Sequence, residues 1–294
     1  YVYTQKMLSA PIVVNVEISQ SFRNMYPKCA AKNIVSPYPN PDGRNFNGGF
    51  DDLVSETLKS RQITLSSSRE ISQPSTNSSH MMHYSAGNHG ECRKLRSALQ
   101  TDFECSNSKP FFEKFKKLSY PLAMRIATFC PCPGGDSPSA KRMYDAVIMG
   151  CIPVILSQDF VWGFSTEYDP DMILNPNDYS IRLNSSNFDM PHYEKGKCST
   201  RTIGFDTKPL EEYLLQNVNK SEIQRLQSNL IDVGRKYSFY RVNQTRPNEL
   251  LRLGHLPDGE ASFEIVRALE QRVGGTHWKA CQEELKTVNY KRQP

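Results

Sequence analysis

Pro133-Gly134-Gly135-Asp136-Ser137 puts two glycines in one turn, and Arg142 and Asp145 follow within the next ten residues. Glycine lets a backbone approach a ligand closely, and the N–H groups that open a following helix attract phosphate. Arg142 and Asp145 are three apart and share a helical face, while Ala140, Met143 and Val147 point toward a sheet. The guanidinium can then reach a diphosphate, and the carboxylate can accept hydrogen bonds from ribose hydroxyls. A plain surface ion pair between Arg142 and Asp145 is the competing reading.

The elements that must position these groups are a strand, a helix and a second strand. Residues 126–130 read as a buried strand, 131–136 as a Pro/Gly turn, and 139–149 as a helix with Ser137 as N-cap and Pro138 at its first position. Gly150 closes that helix, and residues 152–156 make the next strand, with Pro153 tolerated near its start. Strand, helix, strand implies a parallel sheet, and open α/β sheets bind nucleotides at the carboxyl ends of such strands. A similar unit precedes it: a strand over 81–86, a Gly87/Gly90 turn, and a helix over 91–99. Short strands are expected over 11–17 and 33–36 and a Ser-rich linker over 64–79. Two apolar stripes, Leu210/Tyr213/Leu214/Val218 and Ile223/Leu226/Leu230/Val233/Tyr237, read as core faces of helices.

Other chemistry-bearing patterns point to structure. Asp169-Pro170-Asp171 imitates a metal-binding Asp-x-Asp but reads as a turn. Cys130-x-Cys132 lacks the spacing and second pair of a zinc site, and alternation along a strand sends its thiols apart. His80 and His83 lie at a strand edge and do not read as a metal pair. Neither a Walker motif nor a nucleophile elbow is present, against a P-loop ATPase and an α/β-hydrolase.

The chain has 294 residues, room for about two domains. Its net charge of +5 is dispersed, which suits an anionic small molecule and gives no basic stripe for nucleic acid. No run approaches the ~18 apolar residues of a membrane span. The first residue is Tyr1, and a piece of a longer protein is expected. Eight cysteines allow some disulfides, and sequons at Asn77, Asn184, Asn219 and Asn243 favour a secretory-pathway location.

Phe129-Cys130, Pro133-Gly134-Gly135-Asp136-Ser137, Arg142, Asp145-Ala146 and Gly150-Cys151-Ile152-Pro153-Val154 together resemble the signature of the exostosin-like glycosyltransferases, family 47. Plant xyloglucan and pectin side-chain transferases belong to this family. Asn33-Ile34-Val35-Ser36-Pro37-Tyr38-Pro39, His83-Tyr84-Ser85-Ala86-Gly87 and Asn177-Asp178-Tyr179-Ser180-Ile181 resemble further family segments in the right order, so the likeness runs from Asn33 to about Tyr240. It implies a GT-B fold with a Rossmann-like nucleotide-sugar lobe over 79–294. Residues 1–78 would be the remainder of an acceptor lobe that is otherwise missing.

The implied activity is inverting transfer from a UDP-sugar to a polysaccharide or glycoprotein glycan, in the Golgi lumen, from a full-length protein with a type II membrane anchor. No cofactor or metal is implied. The implied partners are the donor, the glycan acceptor, and further copies or related transferases as oligomer partners. Arg142 and either Arg93 or Arg96 would hold the diphosphate and Asp145 the ribose, beside the turn of Gly134, Gly135, Asp136 and Ser137. Most members carry Glu where Asp145 stands, and aspartate keeps the acceptor role with a shorter reach. The catalytic base stays unassigned: Asp42 and His89 suit it by position, but each reads as structural or solvated. A non-catalytic nucleotide- or carbohydrate-binding homologue is the alternative reading.

Overall fold

The structure is a computed structural model and describes residues 14–15, 17–18, 20–38, 82–87, 90, 92–114, 120–189, 204–239, 261–273 and 275–290. The expected linker over 64–79, Asp42, His80, His89, Asn77 and Asn243 lie outside these residues. In chain order the elements are β1 (Val14–Asn15), α1 (Gln20–Met25), α2 (Pro27–Ala31), β2 (Ile34–Val35), α3 (Arg93–Cys105), α4 (Ser108–Lys114) and α5 (Tyr120–Ile126). Then come β3 (Phe129–Cys132), α6 (Lys141–Ile148), β4 (Ile152–Ile155), β5 (Ile181–Arg182), α7 (Leu210–Asn217), α8 (Lys220–Tyr237), α9 (Ala261–Val273) and α10 (Thr276–Tyr290). No described helix is long and apolar enough to cross a membrane.

The sheet is parallel throughout, in the order β3-β4-β5, with a further parallel bridge from Met82 to Phe129 on the outer side of β3. The expected strand–helix–strand unit is thus present as β3–α6–β4, in a mixed α/β fold. Its first strand begins three residues later than the sequence suggests, because Ile126 ends α5 and Pro131 sits inside β3. Hydrogen bonding explains why proline fits there. The carbonyls of Thr128 and Cys132 face β4, whereas that of Phe129 faces the segment at His83. By alternation the missing N–H of Pro131 falls on the side where pairing has already ended.

The core is aromatic. Trp162 and Tyr237 stack at 5.7 Å, and Tyr144 meets Tyr237 edge-on at 5.0 Å. The hydroxyls of these packed tyrosines are engaged: Tyr237 donates to the Gly163 carbonyl (2.9 Å), Tyr179 donates to Tyr237 (2.8 Å), and Tyr144 accepts from the Gly163 N–H (3.1 Å). A Cβ on Gly163 would lie 3.1 Å from the Val35 carbonyl and the Pro37 nitrogen, so a side chain there would require this backbone to shift. Helix α8 lies across α6, and β2 meets the loop after Trp162 through the Phe164 N–H to Val35 carbonyl bond of 3.0 Å.

The last helices return to the first. Cys29 of α2 is disulfide-bonded to Cys281 of α10, 252 residues away, and the Glu284 carboxylate accepts from the N–H groups of Lys28 and Cys29 at 3.1 and 2.9 Å. Arg272 of α9 is fully buried, with bonds to the carbonyls of Ala31 (2.9 Å) and Asn33 (3.3 Å) and a 2.5 Å ion pair to Asp169. A second disulfide joins Cys130 of β3 to Cys151 at the start of β4, and Cys105 is disulfide-bonded as well. Cys132 remains a buried thiol, so Cys130 and Cys132 have separate fates.

Two buried carboxyls join α3 and α4 to α7. Asp102 accepts from the Leu210 N–H at 3.3–3.4 Å, and Glu211 accepts from the N–H (3.2 Å) and hydroxyl of Ser108. Burial pushes Asp102 up from 3.8 to about 8, against the Leu210 bond, and the Glu211 charge pushes it further. A raised folded-state pKa means the native state holds the proton more tightly. Its contribution to stability is complete below about pH 4 and is lost as pH rises through about 8. Asp102→Asn, which keeps an acceptor for Leu210, is expected to raise Tm at pH 8.5 by about 2–4 °C, or ~1 kcal/mol, and to flatten the Tm–pH profile above pH 5. Differential scanning fluorimetry across pH checks this.

Candidate functional site

The carboxyl end of β3 runs into the two-glycine turn, and a single arginine braces that turn from outside. Arg96 of α3 is buried, with its Nε donating to the Gly134 carbonyl at 3.0 Å and its Nη1 to the Gly87 carbonyl at 3.1 Å. It fastens the two glycine turns together. Gly90 has φ +81°, and a side chain there would run into the Asp136 carboxylate, so the second turn closes against the first only as glycine. A Cβ on Gly134 would come within 3.0 Å of the Cys92 sulfur.

The turn is self-satisfied. The Gly135 N–H donates to the carbonyls of Ser137 (2.8 Å) and Ser139 (3.2 Å), and the Pro138 carbonyl accepts from the Ser157 hydroxyl (2.7 Å). Ser139 also donates to Glu17 (3.1 Å) and accepts from Tyr38 (2.9 Å). These bonds hold Ser137 and Pro138 in the turn, so the helix opens at Lys141 with Ala140 as its N-cap and no side-chain cap. That differs from the expected start at residue 139 with Ser137 as cap. Asp136 is exposed and Ser137 half-buried, both at the mouth of this turn.

Arg142, on the first turn of α6, packs its guanidinium carbon 5.0 Å from the Tyr84 ring centre and 5.2 Å from that of Tyr120. Its Nη1 is buried without a hydrogen-bond partner, and so are the Tyr84 hydroxyl and both ring nitrogens of His83. Buried polar groups are rarely left unpaired. Here several unpaired groups surround one cation at the end of a parallel strand. Burial, and then the Arg142 charge, push the His83 imidazole down to about 4, so the ring is neutral. Burial pushes the Tyr84 phenol up to about 12 despite Arg142, and the Cys132 thiol likewise to about 12.

Asp145 is buried on the same helix, and both of its oxygens receive the Lys141 ammonium at 2.7–2.8 Å. The ion pair weighed for Arg142 and Asp145 is therefore made by Lys141 instead, four residues upstream. Among the described residues Arg142 makes no ion pair. Lys141 is one-third exposed but the Asp145 carboxylate is only 4% exposed, so Lys141→Ala, which withdraws the cation from a buried carboxylate, is expected to cost about 1–3 kcal/mol, measured by urea denaturation. Arg93 lies exposed in the first turn of α3, with its backbone N–H on the Gly90 carbonyl at 3.2 Å.

The sequence singled out Arg142, Asp145 and the turn, but not the groups that surround them. Lys141 carried a signal, a basic residue four before an acidic one. Tyr120 carried none, since only the tertiary fold brings α5 to α6. Away from this end of the sheet, Asp169 and Asp171 lie 3.9 Å from the His277 Nε2. The backbone there turns, with the Asp171 N–H on the Asp169 carboxylate at 3.1 Å, and Arg272 already balances the buried Asp169 charge.

Known proteins share this sequence pattern. A probable xyloglucan galactosyltransferase of Arabidopsis thaliana is 25% identical over 184 residues, which cover 62% of this chain and 31% of the relative. A probable glucuronosyltransferase of Oryza sativa subsp. japonica is 50% identical over 72 residues, 24% of this chain and 17% of its own. A probable beta-1,4-xylosyltransferase of Arabidopsis thaliana is 36% identical over 90 residues, 29% of this chain and 21% of its own. The chain thus spans between about a sixth and a third of the length of these relatives. The model of the Exostosin GT47 domain matches residues 4–192, more than half of the chain and the whole stretch from β1 through β5. The chain belongs to the exostosin GT47 domain family.

Proposed function

We propose that the carboxyl end of β3 and the start of α6 bind the nucleotide of a UDP-sugar, and that the protein transfers the sugar with inversion to a polysaccharide or glycoprotein glycan. The observation that carries this reading is the Arg142 guanidinium, held between two tyrosine rings with a buried, unpartnered donor. Such a cation takes up a diphosphate without reorganising, and it stabilises the negative charge that grows on the leaving diphosphate as the sugar–phosphate bond breaks. The α6 N-terminus adds a partial positive charge on the same side. Asp145, which Lys141 holds through both oxygens, accepts from the ribose hydroxyls. Arg96 is a positioning residue in this reading, because its Nε and Nη1 hold the Gly134 and Gly87 carbonyls, and the exposed Arg93 is the second diphosphate contact.

The wider reading is a two-lobed GT-B enzyme of the Golgi lumen, with residues 79–294 as the nucleotide-sugar lobe and an acceptor lobe to which residues 1–78 contribute. Its disulfides suit an oxidising compartment, and the name of one plant relative, a probable xyloglucan galactosyltransferase, suggests a polysaccharide acceptor. Calorimetric titration of the 294-residue chain with UDP tests the central claim. Saturable micromolar binding is expected; no heat of binding, with the fold intact by circular dichroism, would overturn the site.

A further inference from the structure

Two of the four sequons lie among the described residues, and both have the same local geometry. Asn184 is exposed before the 3-10 turn Ser185–Asn187, and its Oδ1 accepts from the Ser186 N–H at 3.1 Å and the Ser186 hydroxyl at 2.9 Å. Asn219 is the exposed N-cap of α8, and its Oδ1 accepts from the Glu222 N–H at 2.9 Å and the Ser221 hydroxyl at 2.6 Å. In each, the hydroxyl two residues on bonds to the asparagine oxygen, and the Nδ2 makes no hydrogen bond among the described residues. Asn33, Asn217 and Asn229 differ: each spends its Nδ2 on a backbone carbonyl, at 2.7–2.8 Å.

From this contrast we infer that Asn184 and Asn219 are N-glycosylated. In each, the side-chain oxygen does the structural work of the cap or turn, and the nitrogen that would carry a sugar faces no partner among the described residues. The co-reactant is a lipid-diphosphate-linked oligosaccharide. The bond from its first sugar carbon to the phosphate oxygen breaks, the same carbon bonds to Nδ2, and one Nδ2 proton goes to the base of the transferring enzyme. The lipid diphosphate departs with the electron pair. Glycan attachment at Nδ2 leaves Oδ1 as an acceptor, so the α8 cap persists in the modified protein. Asn175 also caps through its oxygen, accepting from the Asn177 N–H at 3.2 Å, but proline follows it and no hydroxyl stands two residues on; the sequon hydroxyl on the oxygen together with the open nitrogen is what singles out Asn184 and Asn219. The inference rests on the secretory-pathway part of the proposed function, not on UDP binding.

The test uses the full-length protein purified from the eukaryotic cells that make it. Enzymatic removal of N-glycans in heavy-oxygen water should convert Asn184 and Asn219 to labelled aspartate in most molecules, read by peptide mass spectrometry. Asn219→Asp, which keeps the cap, should remove one glycoform step with Tm unchanged. Ser221→Ala should remove the same step while Asn219 still caps Glu222. Peptides containing Asn184 and Asn219 recovered unmodified would overturn the inference, whether the protein binds UDP or not. Modified peptides with no UDP binding would sustain it and count against the proposed donor site.

Discussion

Arg142→Ala is expected to weaken UDP binding by about 1.5–3 kcal/mol, roughly 10- to 150-fold, while leaving the protein as stable as before. The two halves of this expectation have one cause. In the free protein the Arg142 Nη1 is a buried donor without an acceptor, so its removal relieves an unmet group and sacrifices only the packing on Tyr84 and Tyr120. In the proposed complex the same donor would meet a diphosphate oxygen. Arg142→Lys should recover part of the loss, because an ammonium keeps the charge and lacks the planar fork that lies between the rings. Titration calorimetry and thermal melts on the same samples read both quantities. A folded Arg142→Ala variant that binds UDP like the parent would sink the assignment.

Arg272→Ala has the largest expected effect on folding, a loss of about 3–5 kcal/mol and a Tm lower by roughly 6–20 °C. The ion pair with Asp169 is almost fully withdrawn from water, and the arginine also satisfies the carbonyls of Ala31 and Asn33. Its removal strands a carboxylate in the interior. Replacing both partners by apolar residues, Arg272→Met with Asp169→Leu, should cost much less than the single change, since no uncompensated charge is left. Urea denaturation of the two singles and the double gives the coupling directly. Additive losses would mean that the pair contributes little beyond packing.

The sequence reads best where local chemistry and tertiary structure agree. Gly150, with φ +74°, ends α6 as a glycine at that position should, and Asn219 caps the helix whose apolar stripe runs from Ile223 to Tyr237. It misleads where long-range bonds outbid local signals. Ser137-Pro138 is a good helix start, but the Gly135 N–H, Ser157 and Arg96 hold that stretch as a turn. Pro131 looks like a turn residue until the side of the ladder that needs no N–H is known. Of the site, the residues in the motif were legible and their surroundings were not. His83, Tyr84 and Tyr120 converge on Arg142 from a bridge and a helix that no spacing along the chain connects. Helices α9 and α10 carry no motif of their own, and their role depends on partners 241 and 252 residues away.

That distance sets a timetable. At synthesis rates of about 5–20 residues per second, Cys29 waits on the order of 10–50 s for Cys281 to be made. Through that interval α2 has neither its disulfide nor the Glu284 carboxylate that receives its first N–H groups. Cys105, Cys130 and Cys151 all emerge meanwhile as competing thiols. The β3–α6–β4 unit, whose disulfide spans only 21 residues, closes early. The nascent protein therefore closes β3–α6–β4 first and joins α2 to α10 last, so residues beyond the stretch recognised as the family domain fold together with it.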